Sequence, residues 1–183
     1  GKYQLISEKT DLRNLASTFQ DFLEKEKPLT IEPHAHLCFL VDLERYSCAF
    51  PTLRIKGGKG AQLSLLWAEA CYTGEINKEK YSFGHKGNRN EIEGKFFSGA
   101  GDIWKLDGRE HSLDTAWWHA GRYILFEIRT AADPVTLLSA SLLETSYPLA
   151  VPTSFQTSDS KLDTLVPLLH KSLQACSHET YMD

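Results

Sequence analysis

The amino-acid sequence predicts a mainly β fold, an antiparallel β-sandwich of jelly-roll type with an amphipathic helix near each end. Three observations lead there. Apolar residues alternate with period two through most of the chain, turn residues separate the alternating runs, and helical periodicity is confined to the two ends.

The first element is helical. From Thr10 the apolar residues Leu12, Leu15, Ala16, Phe19, Phe22 and Leu23 recur at helical spacing among polar ones, Thr10 or Asp11 can cap the first turn, and Pro28 blocks continuation. Beyond Pro28 the period changes to two. Leu37, Phe39, Val41 and Leu43 alternate with His36, Cys38, Leu40 and Asp42, and Phe50, Leu53 and Ile55 form a further extended run. Gly57-Gly58-Lys59-Gly60 can supply the positive φ angles of a hairpin loop before Leu63, Leu65 and Trp67, so these two runs are expected to pair antiparallel.

Asp107-Gly108, a tight-turn dipeptide, lies between Gly101–Leu106 and His111–His119. Arg122 to Thr130 places Ile124, Phe126 and Ile128 on one face, with Tyr123, Leu125, Glu127 and Arg129 on the other, and Asp133-Pro134 ends the run. Further strands are expected at Val135 to Glu144 and Leu149 to Phe155. Between Tyr72 and Ala100 lies a glycine-rich, charged stretch too long for a simple connection, of the kind that carries function. After Phe155 the helical period returns on Leu162, Leu165, Val166, Leu169, Leu173 and Cys176. Pro167 is tolerated there if Thr164 is the cap, with Asp159 and Asp163 in the linker. A β domain over residues 1–155 and a second domain from 156–183 follow from this change of period.

Composition excludes several classes of function. At 183 residues, with 42% hydrophobic and 24% charged residues, the chain can bury a core of its own. A net charge of −4 gives no basic footprint for nucleic acid or an anionic membrane. No apolar stretch is long enough to span a bilayer and Gly1-Lys2-Tyr3 does not open a signal peptide, so a soluble chain is expected, with no compartment assigned. Cys38, Cys48, Cys71 and Cys176 have no metal spacing and read as buried thiols; a Cys38–Cys48 disulfide is the alternative.

A self-contained catalytic site is not found. Glu91 and Glu93 could suggest a glycosidase pair, but Arg89 beside them favours ionisation of both, which suits a solvated loop. His34-x-His36 has no acidic partner at a familiar ligand spacing, so no metal and no cofactor are predicted. Trp67, Trp104, Trp117 and Trp118 could stack on sugar rings, although core packing suits most of them, and adjacent Trp117 and Trp118 cannot share a face on a strand.

The C-terminal string Leu173-Gln174-Ala175-Cys176-Ser177-His178-Glu179-Thr180-Tyr181-Met182-Asp183 resembles the entrance to the catalytic domain of bacterial inverting α-L-rhamnosidases. The resemblance runs back through Ser146-Tyr147-Pro148, Trp117 to Tyr123, Asp102 to Gly108, Gly87 to Lys95 and Trp67 to Ala70, and so covers nearly everything from about Phe50 onwards. It implies a β-sandwich packed on an (α/α)6 barrel, with residues 156–183 as linker and first barrel helix. It also implies that Asp183 lines the sugar pocket and holds rhamnose hydroxyls, while the general acid and base lie further along the barrel. The implied reaction is hydrolysis with inversion, its two carboxyl groups about 6.5–9.5 Å apart across the sugar. Pro167 departs from the pattern.

Taken together, the expectation is a non-catalytic β-sandwich fragment, truncated where its barrel begins. Its partners would be the barrel of the same parent chain and, through it, a rhamnose-containing glycan. Asn88, Arg89 and Glu91 are the candidate contacts at the barrel interface or pocket rim, and the exposed C-terminal stripe is expected to fold back or to drive self-association. A free-standing carbohydrate-binding module is the alternative.

Overall fold

The computed structural model describes residues 10–74, 84–150, 156–178 and 180–182, with side chains described from Leu15 onwards. The chain adopts the expected mainly antiparallel β fold. Its elements are α1 (Thr10–Lys25), β1 (Leu29–Ile31), β2 (His36–Gly57), β3 (Gln62–Ala68), β4 (Ala100–Lys105), β5 (His111–Asp114), β6 (His119–Arg129), β7 (Val135–Glu144), α2 (Ser160–Asp163) and α3 (Leu165–Ala175). They fall into two compact units, Gly1–Leu143 and Glu144–Asp183.

In the first unit the strands form one continuous sheet in the order β1-β7-β2-β6-β3-β4, with β5 also on β2. The two extended runs read in the sequence are a single 22-residue strand. A register shift between Asp42 and Ser47 marks the irregularity inside it, where Glu44 takes a positive φ and donates its N–H to Asp42 Oδ1 at 2.7 Å. Leu37, Phe39, Val41 and Leu43 before this point, and Ala49, Leu53 and Ile55 after it, all belong to one hydrophobic core. One face of β2 therefore stays inside along its length, and both halves of the sheet share a core, as the layers of a sandwich do.

α1 closes this core. Phe19 and Phe22 are buried, and the Phe19 ring stacks on Phe39 at 3.9 Å and lies 5.3 Å from Phe126. Asp21 on the helix binds Lys25 at 2.6 Å, and Glu26 ends the helix in the left-handed region.

Three local expectations are corrected. The run ending at Gly57 does not pair with β3, because β6 lies between β2 and β3 in the sheet. The glycine loop instead carries the chain across. A side chain at Gly57 would meet the Pro134 carbonyl at 2.7 Å, so the loop packs on the β6–β7 connection. Asp107-Gly108 is a turn but closes no hairpin: β4 pairs with β3, and β5 pairs with β2. Asp107 stabilises the turn by accepting the Arg109 N–H at 3.0 Å.

The third correction concerns the second unit. Asp159 caps α2 by accepting the Lys161 N–H at 3.0 Å, and Asp163 lies inside that helix, not in a linker. Thr164 is the cap residue of α3, as Pro167 requires, although its hydroxyl donates to the Lys161 carbonyl and does not cap. α3 has no buried residue, while Ser177 and His178 just beyond it are buried. Of the strand expected over Leu149 to Phe155, Leu149 and Ala150 have no regular structure and residues 151–155 lie outside the described residues. None of the four cysteines forms a disulfide, and among the described residues no helix is long and apolar enough to cross a membrane.

Candidate functional site

The alternation of β6 gives the sheet a second buried face. Tyr123 and Leu125 point away from the main core and, with Ala68, Cys71 and Phe97, form a smaller cluster against which Ile92 packs. The segment from Gly84 to Phe97 thus covers this outer face. Backbone pairs Tyr72–Phe96 and Thr73–His85 tie its ends, and a side chain at Gly84 would meet the Thr73 carbonyl at 2.4 Å.

Inside the segment Asn88 builds a turn. Its Oδ1 accepts the Asn90 N–H at 3.1 Å and its amide donates to Glu91 Oε1 at 2.8 Å. Lys95 is 8% exposed, and its ammonium donates to the carbonyls of Lys86 at 2.8 Å and Asn88 at 2.5 Å. Three ties fasten this turn to the sheet. Tyr123 donates its hydroxyl to the Arg89 carbonyl at 2.6 Å. Arg122 binds both Asp42 oxygens, at 2.7 and 2.8 Å, and donates to Asn90 Oδ1. Glu69 receives Lys86 and, at 3.9 Å, Arg89. The hydrogen bonds from Arg122, then that from the Glu44 N–H, hold the Asp42 carboxyl below its ordinary value despite some burial.

The structure brings Asn88, Arg89 and Glu91 together on one anchored turn. Asp183 lies outside the described residues. The turn leaves the Arg89 guanidinium largely exposed, while the Glu91 carboxylate is engaged by Asn88 and Glu93 is exposed. The turn thus presents one exposed guanidinium beside an amide and a carboxylate that bind each other. Trp67 is buried and Trp104 packs on the core. Trp117 and Trp118 lie outside any strand, 6.2 Å apart, with Trp117 60% exposed. An apolar cavity lies between α1 and strands β2, β6 and β7, lined by Phe22, Leu23, Val41, Leu43, Phe126 and Leu142.

One polar cluster escaped sequence reasoning. His36, Cys38 and Glu127 meet on the outer face of β2 and β6, with Arg129 bound to Glu127 at 2.7 Å. Burial and the opposing Glu127 carboxylate push the Cys38 thiol up. Burial would raise Glu127, but Arg129 and His36 outweigh it and the carboxyl lies below its ordinary value. The sequence showed His36 and Cys38 singly, but their acidic partner Glu127 stands on a distant strand, 91 residues from His36.

The backbone arrangement has known counterparts. A rhamnosidase of glycoside hydrolase family 78 from Bacillus sp. GL1 superposes with a TM-score of 0.58 at 16% identity, over 85% of this chain and 15% of that one. The fold is rhamnosidase-like. A rhamnosidase from Klebsiella oxytoca, solved with rhamnose bound, gives a TM-score of 0.50 at 14% identity, over 82% of this chain and 29% of that one. At these identities the likeness is one of fold, and the chain spans less than a third of either enzyme. No family model and no curated protein matches the sequence.

Proposed function

We propose that this chain is the non-catalytic β domain of an α-L-rhamnosidase-like glycoside hydrolase and supports an (α/α)6 catalytic domain. The observation that carries the reading is the asymmetry of coverage: most of this chain falls on a small part of each rhamnosidase it resembles. The exposed leucines of α3 support it, since an amphipathic helix without a buried residue is built to pack on something further. In this reading residues 156–183 are the linker and first barrel helix, Asp183 holds sugar hydroxyls, and the anchored turn of Asn88, Arg89 and Glu91 meets the barrel or the pocket rim. The parent enzyme hydrolyses terminal α-L-rhamnosyl bonds with inversion, and the chain alone is inactive. Apart from the barrel, the α3 stripe drives self-association.

The gene provides the first test. The frame is expected to continue after Asp183 into a helical domain carrying an acid and a base; a stop codon there would end the supporting role. In the protein that includes that domain, Arg89→Ala should raise KM or lower stability, and unchanged values of both would remove the turn from the interface. A second reading, a free-standing carbohydrate-binding module, is favoured by the exposed Trp117 ring beside Trp118. Calorimetry of the chain with rhamnose-containing oligosaccharides decides between them, because binding by the chain alone belongs to the module.

A further inference from the structure

We propose that His36, Cys38 and Glu127 form a binding site for a borderline-soft divalent cation, zinc in the first place. The cluster arises from strand register. His36 and Cys38 are two apart on β2 and project from one face, and the antiparallel register sets Cys38 opposite Glu127 and His36 opposite Arg129 on β6. His36 Nε2 lies 2.7 Å from Glu127 Oε1 and 3.7 Å from Cys38 Sγ, and all three ligand atoms lie within 4.8 Å of one another. Tetrahedral zinc separates its sulfur and nitrogen ligands by about 3.6 Å and its nitrogen and oxygen ligands by about 3.3 Å. The first separation is already met. The second needs the His36–Glu127 hydrogen bond to open by about 0.6 Å, a small movement for an imidazole nearly half exposed.

The chemistry favours a metal over the nucleophile-and-base arrangement that a thiol, an imidazole and a carboxylate also suggest. In such a relay the carboxylate orients one ring nitrogen while the other takes the thiol proton. Here Cys38 and Glu127 both face Nε2, so the ring cannot pass a proton between them. Donors that converge on one point suit a cation. A thiolate and an imidazole select zinc or cobalt over calcium or magnesium. Glu127 is 5% exposed, and Arg129 donates to its Oε1 from Nε at 3.0 Å and Nη2 at 2.7 Å, which holds the carboxylate in place. On binding, the S–H bond of Cys38 breaks, its proton passes to solvent, and the sulfur–metal bond forms. Three protein ligands leave a fourth position for water or a substrate atom.

Cobalt(II) titration of the 183-residue chain tests the site, with folding of every variant checked by circular dichroism. The expected result is a thiolate-to-cobalt charge-transfer band that zinc abolishes. Cys38→Ser should eliminate the band, His36→Gln should weaken the apparent affinity about tenfold or more, and Cys176→Ser, at the exposed thiol, should change nothing. Zinc should also raise the melting temperature of the wild-type chain, and His36→Gln should remove that rise. Absence of the band in folded wild-type protein overturns the proposal. So does a band that survives Cys38→Ser or is lost with Cys176→Ser. Should Cys38→Ser fail to fold, the His36→Gln titration and melt decide the matter: an unchanged affinity and an unchanged zinc response overturn it.

Discussion

The β unit and the helical unit handle their apolar residues in opposite ways. β2, β3, β6 and β7 bury Leu53, Ile55, Leu63, Ile128 and Leu137 almost completely, and α1 adds Phe19 and Phe22. α3 carries a stripe as apolar as theirs and buries none of it, with Leu169 63% exposed. A sheet curled over its own face makes a core from within. A lone amphipathic helix makes half of an interface and needs a partner for the rest. The first unit therefore encloses its apolar faces, and the second leaves its apolar stripe uncovered.

The sharpest way to break this comparison is a pair of truncations. Ile55→Ala, at a fully buried position, should cost about 2–5 kcal/mol, read as a lower urea midpoint at constant slope. Leu169→Ala, the smallest effect expected, should stay within about 0.5 kcal/mol in this chain. A cost at Leu169 matching that at Ile55 would mean that α3 has a core of its own. Between these extremes lies the outer-face segment. Lys95→Met should cost about 1–3 kcal/mol, because the carbonyls of Lys86 and Asn88 lose their shared donor. Amide hydrogen exchange should show the loss as faster exchange in residues 84–97, with the β2–β6 ladder still protected.

A smaller, pH-dependent effect tests the Asp42–Arg122 tie. Asp42 titrates below its ordinary value, so its contribution is complete above that value and disappears as the pH falls through the folded one. Acid should therefore weaken the wild-type chain from roughly pH 5 downwards. Asp42→Asn should already lack this contribution at neutral pH and show a shallower acid loss. The pair is partly exposed, so the difference should remain under about 1 kcal/mol and shrink in salt. Equal acid slopes for the two proteins would mean that Arg122 holds the turn through Asn90 alone.

Local pattern made much of the molecule legible. Helix α1 and strand β7 begin where spacing placed them, Ile124, Phe126 and Ile128 share the core face, and Thr164 occupies the cap position of α3 ahead of Pro167. Each follows from period, cap or breaker, which act over a few residues. The prominence of Asn88, Arg89 and Glu91 came from loop length and charge, and the turn they build rests on contacts between near neighbours. Their fastening to the sheet was not legible, because Tyr123 and Arg122 stand more than thirty residues away.

By itself, then, the sequence determined the fold class, the β unit's apolar faces and the helical character of both ends. Periodicity records which face of an element is to be buried. Only the tertiary structure decided which strands are neighbours: β6 stands between β2 and β3, two apolar runs are one strand, and the Asp107-Gly108 turn joins strands with different partners. It also decided that His36 and Cys38 face Glu127 across ninety residues of chain. Register between distant strands depends on the summed packing of whole faces, and no short window of sequence contains that sum.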